Sequence, residues 1–252
     1  MDTSRFYDDI ADLYHLVYAD WPASMRRQAE VLDGILQSAL GEGPHRILDV
    51  SCGIGTQALG LAALRHAVTA SDVSVRAIER ARREAEQRGL HVKFSIADMR
   101  TCDRQHDGNF DVVIAADNSV PHLLSDDEIL EAFSCFYRLT RPSGVTLVTV
   151  RDYAREDRAT PQLRPYGVRV TPEGRYFVFQ VWDFVGEIYD VAMYFVRESV
   201  EGETDVRVSK ARYYAVDTDT LLFLLKKAGF ADAERIDSEY FQPVLLARRA
   251  AV

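Results

Sequence analysis

Residues 47–55 read Ile-Leu-Asp-Val-Ser-Cys-Gly-Ile-Gly, and the acid Asp72 ends a second apolar run. A strand that breaks into a tight turn of small residues and then opens a helix makes a cradle for a nucleotide-like ligand. An acid at the end of the next strand can hold a ribose. A dinucleotide fold needs Gly-x-Gly-x-x-Gly, whose glycines let backbone and a helix N-terminus approach a pyrophosphate. The turn here is Ser51-Cys52-Gly53-Ile54-Gly55-Thr56-Gln57-Ala58, which lacks the third glycine. It also holds Asp49, a carboxylate that repels a pyrophosphate and suits a ligand with a cationic end.

The flanking pattern alternates strand and helix. Apolar positions at helical spacing over residues 24–39 lead into a strand at Arg46–Val50, followed by a helix at Thr56–Leu64, a strand at Ala67–Ser71 and a helix at Ser74–Arg88. Val92–Ile96, Phe110–Ala115 and Val145–Val150 read as further strands, with a helix at Asp126–Arg138. Short apolar runs such as Val112-Val113-Ile114 predict a parallel sheet covered on both faces, so the fold class is α/β, doubly wound and mostly parallel. Residues 151–166, rich in charge and with two prolines, read as a loop. Arg175–Val185, Glu187–Glu198 and Asp205–Tyr214 read as an inserted antiparallel meander. Asp217–Ala228 returns to helix, and Ala233–Asp237 with Pro243–Arg248 can close the sheet. The expected organisation is an N-terminal lid and core over 1–150, an insertion over 151–215, and a return to the core over 216–252, all in one structural domain.

Composition narrows the function classes. A chain of 252 residues, 47% of them hydrophobic, buries one substantial core. Thirty basic residues against 39 acidic ones, a net charge of −9, provide no excess of positive charge for a phosphate backbone, so no nucleic-acid partner is expected. Cys52, Cys102 and Cys135 have no paired spacing, which argues against a disulfide scaffold or a metal site. The first residues lack a basic region followed by an apolar stretch, and no run of about 18 apolar residues occurs. A cytoplasmic protein with no membrane partner is the expectation.

The Leu-Asp-Val-Ser-Cys-Gly-Ile-Gly segment together with Asp72 resembles the class I S-adenosylmethionine (SAM) dependent methyltransferases. Their cofactor carries an ammonium, a sulfonium and an adenosine, and becomes S-adenosylhomocysteine (SAH) after transfer. The resemblance implies that Asp49, Ser51, Gly53 and Gly55 cradle the methionine end and that Asp72 accepts the ribose hydroxyls. Ala97-Asp98-Met99 resembles the adenine-side motif, which implies a bond from the exocyclic amine to Asp98 and ring contacts from Met99 and Val73. The stretch Asp117-Asn118-Ser119-Val120-Pro121-His122-Leu123 resembles a segment of glycine and sarcosine N-methyltransferases, implicating Asp117, Asn118 and His122 near cofactor or substrate. In that group an aromatic N-terminal segment folds over the cofactor. Tyr14 and Trp21 are the matching candidates, with Arg27 for the cofactor carboxylate. Ser51 stands where many relatives have glycine, so the turn must keep it at negative φ.

The function these resemblances imply is methyl transfer to a small-molecule acceptor, with an amine nitrogen favoured and His122 or Tyr14 as catalytic candidates. An acceptor carboxylate can be met by Arg151, Arg169, Arg175 or Arg212. O- or C-methylation and a SAM-binding protein without turnover remain alternatives. The aromatic meander provides either a substrate wall or the surface of a homo-oligomer.

Overall fold

The computed structural model describes residues 2–237 and 240–251. Two short elements open the chain, helix α1 (Thr3–Ile10) and a one-turn 3-10 helix at Tyr14–Val17. Helix α2 (Trp21–Leu40) follows. Its N-terminus is set by Asp20, whose carboxylate accepts the Ala23 N–H at 2.9 Å, and by a proline in the first turn. Met25, Ala29, Leu32 and Leu36 fall on one buried face, and Gly41, at φ +92°, ends the helix.

The core alternates β1 (Arg46–Asp49), α3 (Thr56–Ala63), β2 (Ala67–Asp72), α4 (Val75–Gln87), β3 (Lys93–Ile96), β4 (Phe110–Ala115), α5 (Asp126–Leu139) and β5 (Thr140–Thr149). The chain then adds β6 (Gln162–Thr171), β7 (Gly174–Val185), β8 (Ile188–Ser199) and β9 (Thr204–Tyr214) before α6 (Thr218–Lys227), β10 (Ala233–Ile236) and β11 (Val244–Arg248). The main sheet has the order β10-β11-β5-β4-β1-β2-β3. Strands β1 to β5 are parallel, and β11 is antiparallel to both β5 and β10. Both faces are covered. Ile47 and Val112 belong to one apolar cluster, while their neighbours Leu48 and Val113 belong to another, as strand alternation requires of a doubly wound sheet. The strand order reverses between β1 and β4, and ligands bind at such a point outside the carboxyl ends of the strands.

Strands β6 to β9 form a separate four-stranded antiparallel sheet, one strand more than the sequence pattern predicts. The additional strand, β6, lies within and beyond the stretch that reads as a loop. It carries Pro165, which an edge strand tolerates because its outer N–H groups have no ladder to complete. Residues 141–144 are an irregularity within β5, where the pairing jumps from Phe110–Thr140 to Val112–Val145. Trp182, Tyr189, Met193 and Phe195 of the inserted sheet are buried in the same cluster as Phe6 and Ile10 of α1, and α1 packs against β9 and α4. The N-terminal segment is thereby laid over the carboxyl ends of the parallel strands. No helix among the described residues is long and apolar enough to cross a membrane.

Candidate functional site

The loops leaving β1, β2, β3 and β4 line one cavity of about 450 Å³, roofed by Tyr7, Tyr14 and Tyr18 of the N-terminal segment. A volume in that range suits a cofactor-sized ligand. Asp49, the last residue of β1, is fully buried beneath the turn and is not itself on the cavity wall. One of its carboxylate oxygens accepts the Ser51 N–H at 3.2 Å, and the other is buried with no partner. Burial pushes its pKa up to about 7, opposed by the Ser51 N–H and reinforced by the charge of Asp72.

Above Asp49 the turn is held by specific bonds. Ser51, which is not among the residues of positive φ, donates its hydroxyl to Ser119 Oγ at 2.9 Å. Gly53 lies at φ +51° and donates its N–H to Asp72 at 2.8 Å. Gly55 lies at φ +98° before the first turn of α3, and a Cβ there would meet Leu59 at 2.9 Å. Gly55 therefore shapes the turn and does not line the cavity, while Ser51 and Gly53 do.

Asp72 ends β2 on the cavity wall. It is not the cap of α4, because Ser74 takes that role by accepting the Ala77 N–H at 3.0 Å. Each Asp72 oxygen instead accepts one backbone N–H, from Ser74 at 2.9 Å and from Gly53 at 2.8 Å. Two lone-pair sites, one per oxygen, remain for a diol such as a ribose. Burial raises the Asp72 pKa against these backbone bonds. Beyond β3, Asp98 and Met99 line the same cavity, but the Asp98 carboxylate is forked by Arg100, which donates at 2.6 Å and reaches Glu128 with its other nitrogen at 2.8 Å. Burial pulls the Asp98 carboxyl upward, and the hydrogen bonds and charge of Arg100 outweigh it, so it stays below the usual range. Arg100 and Glu128 line the cavity and carry no motif signal of their own.

Asp117 and Asn118 follow β4 with positive φ, +57° and +63°, and their N–H groups bond to Thr149 at 2.8 and 3.0 Å. Asp117 lines the cavity and accepts the Tyr18 hydroxyl at 2.8 Å. Burial raises its pKa, opposed by that hydrogen bond and by the charge of Arg151. Asn118 is turned away from the cavity. Its amide donates to the Tyr153 hydroxyl at 2.8 Å and accepts the Arg151 N–H at 2.9 Å, so it braces the loop rather than touching a ligand. His122 lines the cavity with Nε2 at 2.8 Å from the Tyr7 hydroxyl and its ring 4.0 Å from that of Tyr213. Burial lowers its pKa to about 3, against an opposing pull from the Arg212 backbone. The imidazole is neutral at physiological pH and a poor proton acceptor there.

A second cavity, of about 550 Å³, lies on the other side of Tyr14, Tyr18 and Asp117, which line both. Arg151, Tyr166 and Gln242 are among its walls, and Arg27 lines it as well. Exposed Arg27 is absent from the first cavity, so the structure separates it from Ser51, Gly53, Asp72 and Asp98. Trp21 also departs from the sequence expectation. It is buried in the core, donates its indole N–H to Thr56 at 2.9 Å and packs beneath Arg80 and Arg88, outside both cavities. Val73 lies on the first cavity wall, its carbonyl accepting the Ser4 hydroxyl at 3.1 Å. Of the four arginines named for an acceptor carboxylate, only Arg151 lines either of these two cavities. Arg175 and Arg212 pair on the surface with Glu198 and Asp190, and Arg169 bonds to backbone carbonyls.

The residues present fit the cofactor that the motifs imply. The unpartnered oxygen of Asp49 sits under the turn where a cationic end would lie, Asp72 keeps acceptors for a diol, and Gly53 has open space where a side chain would be. Residues 47–144 match the model of the methyltransferase domain family. A glycine/sarcosine N-methyltransferase from Parasynechococcus marenigrum is 27% identical over 151 residues, 60% of this chain and 52% of that protein. The chain spans about half the length of the curated relatives it matches. Among solved structures, DesVI from Streptomyces venezuelae superposes with a TM-score of 0.83 at 17% identity, covering 95% of this chain and 98% of that one. A SAM-bound amino pentose methyltransferase from Micromonospora echinaspora superposes at 0.79 with 16% identity and 95% coverage of each chain, a likeness of fold. The chain thus carries a methyltransferase domain over residues 47–144, set in the fold of SAM-dependent methyltransferases.

Proposed function

We propose that the protein transfers a methyl group from SAM to an amine nitrogen of a small molecule. The observation that carries this reading is the meeting of two cavities at Tyr14, Tyr18 and Asp117, one lined by Ser51, Gly53, Asp72, Asp98 and Met99 and the other sharing only the three junction residues with it. In-line displacement needs donor and acceptor on opposite sides of the transferred carbon, and holding them so can supply about 7–11 kcal/mol of the barrier. When bound, SAM supplies a methyl group on a positive sulfur that is already a good leaving group. Asp72 would hold the ribose, and Asp98 and Met99 would border the adenine. The tyrosine faces at the junction favour a cation by about 0.5–2 kcal/mol.

The acceptor preference rests on proton chemistry at the junction. His122 is neutral and has its pKa near 3, and burial raises the phenols of Tyr14 and Tyr18 well above their ordinary value. None of these removes a proton from a phenol near neutrality. Asp117 is an acid at the junction that draws a basic amine, and an amine that arrives neutral already holds its lone pair and needs no base for the attack, its extra proton leaving to solvent afterwards. Arg151 is the group for an acceptor carboxylate, stacked at 4.7 Å over the ring of Trp182. Incubation with methyl-labelled SAM and a panel of amines, phenols and oxo acids tests the reading, which expects label in amines. Label in phenols or carbon acids would replace it with O- or C-methylation, and SAM binding without transfer to any acceptor would replace it with a binding protein.

A further inference from the structure

We infer that Arg169, on the inserted sheet, is a positioning residue that latches the N-terminal segment in its closed place over the junction of the two cavities. In β6 the side chains of Gln162, Arg164 and Tyr166 are half-buried and alternate with exposed neighbours. Simple alternation would bury residue 168 next and send Arg169 to solvent. Between Pro165 and Gly167 the pairing with β7 slips by one residue, and both Gly167 and Val168 are exposed. This bulge returns Arg169 to the inner face, a common use of bulges in re-aiming a side chain. Gly167 sits at φ +108°, and a Cβ there would crowd the Arg169 guanidinium at 3.2 Å.

The re-aimed guanidinium donates from Nε to the Tyr18 carbonyl at 2.7 Å and from Nη2 to the carbonyls of Val17 and Tyr166 at 3.3 and 2.9 Å. Val17 ends the one-turn helix and Tyr18 is its C-terminal flank, so Arg169 serves carbonyls that the helix itself leaves unsatisfied. The same Tyr18 donates its hydroxyl to Asp117, and Tyr14 begins the same turn. A cation from β6 thus fixes the backbone that carries both tyrosines of the junction. Lifting the segment would strip Arg169 of two acceptors at once, which ties opening of the cofactor cavity to the inserted sheet.

The latch itself is tested on the ligand-free protein, so its failure is distinct from failure of the methyl-transfer reading on which its catalytic meaning rests. Amide hydrogen exchange is measured for Leu13, Leu16 and Tyr18, whose N–H groups are bonded within the segment. Arg169→Ala should speed their exchange by about tenfold or more, the loss of at least one charge-assisted hydrogen bond, with β7 and β8 unchanged. Arg169→Lys keeps the charge without the fork and should fall between wild type and alanine. With SAH, dissociation should quicken in the same order. Unchanged exchange over residues 13–18, or acceleration shared equally with β7 and β8, would overturn the latch. So would a lysine variant as loose as alanine.

Discussion

Binding of the cofactor should release a proton from Asp49. In the ligand-free protein this carboxyl has one oxygen on the Ser51 N–H, one oxygen unpaired, and a pKa near 7. At pH 6 such a group is about nine-tenths protonated, and at pH 8 about one-tenth. An ammonium brought within about 4–6 Å favours the ionised form and returns the pKa toward the carboxylate range. SAH, which has the same amino acid end without the transferable methyl, should therefore release about 0.9 proton at pH 6 and about 0.1 at pH 8. Calorimetric titration in buffers of different ionisation enthalpy reads this number directly. Asp49→Asn keeps the acceptor for Ser51 N–H and should abolish the release. Because the folded pKa is raised, Asp49 contributes stability that is present below its ordinary pKa and lost as pH rises through about 7. A three-unit shift sets an upper bound of about 4 kcal/mol, so ligand-free protein should melt higher at pH 5 than at pH 8, and the asparagine variant should flatten that difference. Binding heats at pH 6 that do not depend on the buffer would refute the reasoning, since the buried acid would then be ionised already or blind to the ligand.

The remaining predictions address other parts of the site. Asp72→Ala removes both acceptors left for a diol and should weaken SAH binding by at least about tenfold in calorimetry; unchanged affinity would take Asp72 out of the ribose role. His122→Gln should leave the pH dependence of turnover without any lost ionisation near neutrality, because the imidazole already titrates near pH 3, and a group with pKa of 6–7 disappearing from the profile would contradict this. Gly55→Ala forces a side chain into a left-handed position 2.9 Å from Leu59, and a drop in thermal stability of about 1–3 kcal/mol is expected, with a normal melt as the contrary result.

The parallel core was legible because its signals are local. Ile47–Gly55 places a turn between β1 and α3, and apolar runs such as Val112–Ile114 are what a strand buried on both faces requires. Asp72 was legible for the same reason, since its position at a strand end follows from the pattern, and Ser74 was available to relieve it of capping. The expectation failed where pairing alone decides. Pro165 and the charges of β6 read as loop because an edge strand needs only one hydrogen-bonded side, and no periodicity announces a bulge. Trp21 reads as a cover for the cofactor by its neighbours in sequence, yet its indole N–H and flat ring find Thr56, Arg80 and Arg88 in the core.

The two halves of the site were unequally legible for a physical reason. Residues that line the first cavity sit at the ends of strands that are neighbours in the sheet, so their spacing in sequence follows from element length. The roof of the first cavity and the junction with the second are held instead by pairs far apart in the chain. Tyr18 meets Asp117 across 99 residues, Tyr7 meets His122 across 115, and Arg169 meets Tyr18 across 151. Such pairs depend on where the inserted sheet and the N-terminal segment land, which is a property of packing with no short-range code. It follows that a relative can keep every motif of the cofactor cavity and still present a different acceptor surface, because only the insertion and the segment over it need to change. The acceptor of this protein is therefore to be sought through Arg151, Asp117 and the tyrosines at the junction. The test that separates the halves is exchange of Arg151 for lysine. It should raise the acceptor KM by about tenfold for a carboxylate-bearing amine while leaving SAH affinity unchanged, since a point charge replaces a two-pronged donor in the second cavity alone. A parallel loss of SAH affinity would mean that the two cavities are not energetically separate, and the division of roles drawn from their lining would fail.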